Sequence, residues 1–124
     1  MSISASTTPS LFSMELRTTR WAQMLRWYSI SLGLPVLLRS EEGQYALLAA
    51  GETKLTLLGR DKVDLPSGRW SLAFEVSNLP RVLQELIKAE SRPSQPRVDP
   101  EGYAEFTVKD PDGNRVRVFQ WVDE

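Results

Sequence analysis

The side chains that could do chemistry in this chain are carboxylates, guanidinium groups, phenols and hydroxyls. The sequence contains no Cys and no His, which excludes thiolate nucleophiles, Ser-His-Asp triads and zinc sites built on imidazole or sulfur. Polar and apolar residues alternate in several segments, for example from Ser13 to Arg17 and from Arg115 to Arg117. Alternation sends every second side chain to one face of a sheet. We therefore expect the candidate functional side chains to share sheet faces.

The composition is that of one ordinary globular domain. The chain has 124 residues, 41% of them apolar and 25% charged, with 15 basic and 16 acidic side chains. Such a chain has room for one hydrophobic core, and its near-neutral charge gives no reason to expect nucleic acid as a partner. No apolar run approaches the ~18 residues of a membrane span, and residues 1–10 have neither the basic nor the apolar region of a secretory signal. We expect a cytoplasmic protein that does not bind membranes, with residues 1–10 as a disordered tail.

The elements that must position these side chains occur twice in the same order. Each half reads as a strand, an amphipathic helix and three further strands (βαβββ). An apolar stripe from Trp21 to Leu32 predicts the first helix, and Asn78 is a good N-cap for the second. The predicted modules are residues 11–58 and 69–121, joined by a polar linker at 59–68. The predicted strands lie at residues 11–17, 35–38, 44–50, 54–58, 69–76, 91–100, 103–108 and 115–121.

The two halves also match residue by residue at a fixed spacing. The segment Ser13 to Leu16 aligns with Ser71 to Phe74, 58 residues later, and Tyr45-Ala46 aligns with Tyr103-Ala104 at the same spacing. Short identities are frequent by chance, so the shared element order and apolar alternation carry the inference. The duplication predicts an α+β fold built from two tandem βαβββ modules.

Three stretches resemble the vicinal oxygen chelate superfamily, the group of glyoxalase I, bleomycin-resistance proteins and extradiol dioxygenases. They are the helix Arg20 to Tyr28 followed by Leu32-Gly33-Leu34, the strand Leu72 to Leu79, and the turn Asp110-Pro111-Asp112-Gly113-Asn114 with the two residues after it. The resemblance covers residues 11–121. It implies a glyoxalase-like fold, in which two βαβββ modules form a curved mixed sheet around a cup, and a homodimer that completes the cup.

The resemblance also implies where a divalent metal would be held. Family enzymes place His and Glu ligands on the first and last strands of each module, and these positions correspond to Ser13, Thr56, Ser71 and Arg117. Neutral hydroxyls are poor ligands for transition metals, and a guanidinium repels a cation. We therefore expect no metal, no cofactor and no catalytic residue. Glyoxalase, dioxygenase and thiol-transferase activities are accordingly not expected.

Strand alternation predicts the residues that line the cup. The set combines hydroxyls, carboxylates, guanidinium groups and phenol rings: Ser13, Glu15, Arg17, Tyr45, Thr56, Ser71, Glu75, Tyr103, Glu105, Arg115 and Arg117. Guanidinium groups can clamp a carboxylate or phosphate, and tyrosine rings can form flat walls for a planar ligand. The leading hypothesis is a metal-free, non-catalytic protein that binds a small organic molecule, anionic or aromatic, in the cup.

Three alternatives stay open at this point. The first is a metal-dependent lyase or dioxygenase of the same superfamily with an all-carboxylate site suited to Mn or Mg. Its ligand set would be Glu15, Glu75 and Glu105. The second is a protein-interaction or regulatory module, with another chain in the cup and with Trp70, Trp121 and residues 91–100 at its surface. In the third, the polar residues pair with one another or lie on a solvated or dimer-facing sheet.

Overall fold

The computed structural model describes residues 8–122 and confirms the predicted order of elements. The first module consists of β1 (Ser13–Thr18), α1 (Trp21–Arg26), a π-helical segment (Trp27–Ser31), β2 (Val36–Ser40), β3 (Tyr45–Ala50) and β4 (Thr53–Gly59). The second module consists of β5 (Leu72–Glu75), α2 (Leu79–Lys88), β6 (Arg97–Asp99), β7 (Tyr103–Lys109) and β8 (Arg115–Trp121). Most of the predicted tail, residues 1–7, lies outside the described residues.

Each module forms its own mixed sheet. The strand orders are β1-β4-β3-β2 and β5-β8-β7-β6, and in each sheet the first strand of the module runs parallel to the last. Glu15 lies opposite Thr56 in the first sheet, and Ala73 lies opposite Arg117 in the second. These are equivalent places in the two modules, so the duplication predicted from the sequence is present in the strand register.

One apolar core spans both modules. Its buried members come from the helices and from one face of each sheet, and they include Met24, Tyr28, Leu57, Leu86 and Val118. Because the strands are pleated, the intervening residues point to the opposite side of each sheet. We call that opposite side the open face. It carries the polar side chains that alternate with the core residues.

Three hydrogen bonds from the first helical region reach the second module. The Tyr28 hydroxyl donates to Asp110 Oδ2 at 2.6 Å, and both residues are buried. The indole N–H of Trp27 donates to Ser91 Oγ at 2.9 Å. The guanidinium of Arg20 donates to the backbone carbonyl of Pro111 at 3.3 Å. Polar as well as apolar contacts therefore hold the two modules together.

The first helix differs from its predicted form. The α-helix ends at Arg26 and continues as the π-helical segment, in which the N–H of Leu32 donates to the carbonyl of Trp27 at 2.8 Å. Trp27 and Tyr28 are both buried, three and four residues after Met24, on or beside the apolar stripe that the sequence predicts.

The first strand of the second module is shorter than predicted. The prediction began it at Arg69, but β5 begins at Leu72, which lies opposite Val116. Residues before Leu72 have almost no length of β8 left to pair with, since β8 itself begins at Arg115.

Across residues 8–122, no helix combines the length and the apolar composition that crossing a bilayer requires.

Candidate functional site

The open face of the second sheet brings oppositely charged side chains together. In the antiparallel pairing of β6 with β7, Arg97 lies opposite Glu105, and in that of β7 with β8, Thr107 lies opposite Arg117. Residues opposite each other, or two apart on one strand, share a face of the sheet. Arg97, Glu105 and Arg117 therefore lie side by side.

Glu105 lies between two guanidinium groups and is 6% exposed. Its Oε1 accepts a hydrogen bond from Arg117 Nε at 2.6 Å, and its Oε2 lies 2.5 Å from Arg97 Nη2. The hydrogen bond from Arg117, the charge of Arg117 and the contacts of Arg97 together lower the pKa of Glu105 below its ordinary value, although burial acts in the opposite direction. The carboxylate is thus ionised at neutral pH and is a weak general base.

Three aromatic rings adjoin this charge cluster. The rings of Tyr103, Phe119 and Trp121 pack edge to face, with centroids 5.7 to 6.0 Å apart. The guanidinium of Arg117 lies 5.5 Å from the centroid of Tyr103 and 5.3 Å from that of Phe119. The sequence analysis missed Phe119 as a site residue, although its position two residues after Arg117 places it on the same face.

A depression of about 440 Å³ opens on this face. Residues of the second module alone line it, and they are Ser94, Gln95, Arg97, Tyr103, Glu105, Phe106, Thr107, Arg115 and Arg117. The lining holds three guanidinium groups and the carboxylate of Glu105, and Asp99, opposite Tyr103, lies 3.4 Å from Arg97, so one positive charge is left in excess. Arg115 is exposed, and its side chain makes no hydrogen bond or ion pair with residues 8–122.

One wall of the depression comes from the proline-rich stretch that the sequence analysis placed at an interaction surface. The backbone N–H of Thr107 donates to the hydroxyl of Ser94 at 2.9 Å, and the backbone N–H of Ser94 donates to the carbonyl of Thr107 at 2.8 Å. Sequence reasoning missed Ser94, Gln95, Arg97 and Thr107. The pairing of this stretch with β7 reveals the first three, since prolines obscure any alternation in it. Thr107 lies on β7 two residues after Glu105, so alternation in that strand could have found it.

The first sheet carries the other group of predicted residues. Ser13 Oγ and Thr56 Oγ1 lie 2.5 Å apart and share a hydrogen bond, and Thr56 is almost completely buried. Arg17 forms a 3.7 Å ion pair with Glu15 on the same open face. Tyr45, at the end of β3, is half-buried opposite Leu58.

The remaining predicted residues lie at the edge of the second sheet. Ser71 precedes β5 and is exposed, and Glu75, at the end of β5, is exposed too. Glu75 lines a different, mainly apolar cavity of about 520 Å³ between the modules, together with Met14 and Phe74. The described residues therefore bring together Tyr103, Glu105, Arg115 and Arg117, and separately Ser13 and Thr56, but not all eleven predicted residues in one cavity.

Comparison with known proteins identifies the family to which this chain belongs. A model of the Glyoxalase/Bleomycin resistance protein/Dioxygenase superfamily matches residues 10–118. The chain belongs to this superfamily. A relative, the uncharacterized protein YraH of Bacillus subtilis (strain 168), is 26% identical over 90% of this chain and 98% of its own length.

Solved structures of other proteins share the fold. TnmS3, an antibiotic binding protein from Streptomyces sp. CB03234, is similar with a TM-score of 0.76 and 17% identity, over 94% of this chain and 98% of its own. Lactoylglutathione lyase from Agrobacterium tumefaciens is similar with a TM-score of 0.70 and 18% identity, over 93% and 96%. At these identities the likeness establishes the fold alone.

The residues that the resemblance assigns to the superfamily's metal positions do not fit a divalent cation. Ser13 and Thr56 are hydroxyls that already bond to each other, and Arg117 presents a positive charge. Nor do the acidic residues offer a substitute site: among residues 8–122, no three acidic side chains converge as metal ligands would. Of the alternative carboxylate set, Glu105 pairs with arginines, Glu15 pairs with Arg17, and Glu75 lines the other cavity.

Proposed function

We propose that this protein is a metal-independent, non-catalytic member of the superfamily that binds a small organic molecule on the open faces of its sheets. The observation that carries the proposal is Arg117, which is fixed by Glu105 at the wall of a 440 Å³ depression. It lies at a position that the resemblance assigns to a metal ligand. A cavity of this size is typical of small-molecule sites. The antibiotic-binding role in the name of TnmS3, a protein of the same fold, agrees with the proposal.

The titratable groups at this site support binding over catalysis. A general base at neutral pH needs a pKa near 7, whereas the hydrogen bond from Arg117 lowers the pKa of Glu105. Arginine is protonated at every physiological pH and does not exchange protons. The site therefore provides fixed charges that orient a ligand, with no group suited to proton transfer.

We further propose that the protein works as a homodimer in the cytoplasm. The open faces of the two modules belong to separate sheets, and β1 and β5 lie at an edge of each. Unpaired sheet edges and half-exposed aromatic side chains such as Trp70 and Trp121 favour coverage by a partner. A second copy could bring an open face of one sheet against the other.

The decisive experiment has two parts and uses the full chain without a polyhistidine tag. After dialysis against Mg, Mn, Fe, Ni and Zn salts followed by buffer, elemental mass spectrometry should find no stoichiometric metal. A thermal-shift screen of chemically diverse small molecules, in EDTA, should then find compounds that raise Tm. A ligand at about 100 times its Kd contributes about 2.7 kcal/mol, which corresponds to several degrees for a domain of this size.

Matched variants connect any such shift to the site. Arg117→Glu removes the positive charge beside the depression and should abolish the shift. Arg81→Glu makes the same charge change on the exposed surface of α2 and should leave it intact. One metal ion retained per chain, or a screen in which no compound of any charge raises Tm, contradicts the proposed function.

A further inference from the structure

We infer that the depression on the second sheet takes a planar aromatic carboxylate, whose carboxylate is bound by Arg115 and Arg117 and whose ring packs against Tyr103. The inference rests on the proposed function and names its ligand class. Charge, pre-organisation and shape each support it independently.

The positive charge of the depression favours an anionic ligand. Glu105 is the only carboxylate in its lining, and Arg97 and Arg117 both contact it. Arg115, on the same face as Arg117, has no partner among the described residues. Asp99 also pairs with Arg97, at 3.4 Å, so one positive charge, that of Arg115, is left uncompensated. An incoming carboxylate would compensate it, whereas a cationic ligand would be repelled by it.

Arg117 is pre-organised to receive that anion. It bonds to Glu105 through Nε, so its two Nη groups are not needed for that contact. Its guanidinium lies against the rings of Tyr103 and Phe119, and its side chain is 30% exposed. A guanidinium held in one place loses less side-chain entropy when a ligand binds, and its Nη pair matches the two oxygens of a carboxylate.

The shape and the aromatic wall favour a ring on the anion over a bare inorganic ion. The volume of about 440 Å³ exceeds what a phosphate ion would fill. Tyr103 lines the depression, and its edge-to-face contacts with Phe119 and Trp121 fix the plane of its ring. A flat, fixed ring beside a fixed cation offers a stacking surface and a carboxylate partner together.

Isothermal titration calorimetry of the full chain tests the inference with charge-matched probes. The probes are 2-naphthoate, its neutral amide 2-naphthamide, the cation 2-naphthylmethylammonium and inorganic phosphate. We expect 2-naphthoate to bind at least about tenfold more tightly than 2-naphthamide, because a charge-assisted bidentate contact is worth that much or more. The cation should not bind, and phosphate should bind more weakly than 2-naphthoate.

Variants locate the contact. Arg115→Gln should weaken 2-naphthoate about tenfold and leave 2-naphthamide unchanged, and Tyr103→Leu should weaken both. Arg81→Gln, on α2, is the matched control and should change neither. Because Arg115 has no partner among the described residues, its replacement should leave the fold intact, which circular dichroism checks.

The outcomes separate the inference from the proposed function. Equal affinity for acid and amide, equal affinity for phosphate and 2-naphthoate, or insensitivity to Arg115→Gln overturns the inference. If the thermal-shift screen then still identifies neutral or cationic ligands, the proposed function stands without this ligand class. If no small molecule of any charge binds, both are wrong.

Discussion

At the scale of single residues, Glu105 determines the state of the open face of the second sheet. Two arginines contact it, and one of them, Arg117, is also fixed by aromatic rings. Removing the charge of Glu105 would leave Arg117 with no carboxylate partner among residues 8–122, while Arg97 would keep only its 3.4 Å ion pair with Asp99. Its side chain is therefore needed to keep the site assembled, whatever the ligand.

We expect Glu105→Gln to lower the free energy of unfolding by about 1–2 kcal/mol at neutral pH, because it weakens the contacts of this buried side chain with two guanidinium groups that are themselves partly exposed. The folded-state pKa of Glu105 is lowered from 4.5. Its stabilisation is therefore present above about pH 4.5 and is lost as the pH falls through the lower, folded-state pKa. Urea denaturation between neutral and acidic pH measures both effects.

The control for this prediction is Glu85→Gln. Glu85 lies on α2 and forms an exposed ion pair with Lys88 at 3.3 Å, a kind of pair that contributes little. Wild-type protein should lose more stability between neutral and acidic pH than Glu105→Gln does. If wild type and Glu105→Gln lost the same stability between neutral and acidic pH, the charge of Glu105 would contribute nothing.

The ionisation of Tyr28 predicts how the stability of the fold changes at alkaline pH. Burial first, and the nearby Asp110 second, raise the pKa of Tyr28 well above 10.0. Its stabilisation is therefore complete below about pH 10 and is lost as the pH rises further, since the unfolded chain ionises first. Tyr28→Phe should cost about 1–2 kcal/mol at neutral pH, because Asp110 loses a donor, and should weaken the alkaline dependence.

Denaturation at neutral pH and above pH 10 measures the Tyr28 effect. Tyr45→Phe is a suitable control because the Tyr45 hydroxyl makes no hydrogen bond within residues 8–122. Asp110 keeps three other donors, from the backbone of Asp112 and from Asn114, so the turn itself should persist in the variant. A variant as stable as wild type at neutral pH would contradict the prediction.

Some site residues could be predicted from sequence and others could not, for a physical reason. Glu105, Arg115 and Arg117 lie in long strands whose pleat fixes the face of every second residue, so alternation alone placed them on one face. Arg97 lies in a three-residue strand among prolines. Its face depends on how that strand pairs with β7, which is a tertiary property with no local signal.

At the scale of elements, α2 shows how sharply a helix divides core from solvent. Leu86 is fully buried and the next residue, Ile87, is 55% exposed. Leu86→Ala should lower the free energy of unfolding by about 2–5 kcal/mol, the range for deleting a buried side chain and leaving a cavity. Ile87→Ala, the matched control, should cost less than about 1 kcal/mol by chemical denaturation, since it deletes similar atoms at a mostly exposed site.

Equal losses of stability for Leu86→Ala and Ile87→Ala would mean that α2 does not pack as described.

The helix α2 was predictable from its apolar stripe and its cap: the side chain of Asn78 accepts a hydrogen bond from the N–H of Arg81 at 3.1 Å. The π-helical segment was not predictable, because the spacing of Trp21, Met24 and Tyr28 suits a continuous α-helix. Within that segment Trp27 is buried, and its indole N–H bonds to Ser91 in the other module.

At the scale of the whole molecule, the open faces lead to a prediction about assembly. We expect sedimentation velocity to show a dimer at micromolar concentration, because edges and half-exposed aromatic side chains gain from coverage. Trp121→Glu should shift the equilibrium toward monomer, since Trp121 is 55% exposed on the open face of β8. Leu65→Glu, at a 90% exposed position between the modules, is the control and should not. A monomer at all concentrations would contradict the prediction.

The hydrogen bonds from Trp27 and Tyr28 to the second module have a consequence for chain continuity. Residues 60–71 are exposed throughout, while the apolar core and these polar bonds cross from one module to the other. The apolar core and these hydrogen bonds should therefore hold the two modules together even without a continuous backbone between them. Co-expressed fragments 1–65 and 66–124 should find each other and reconstitute the native circular dichroism spectrum, which makes this fold a natural scaffold for fragment complementation.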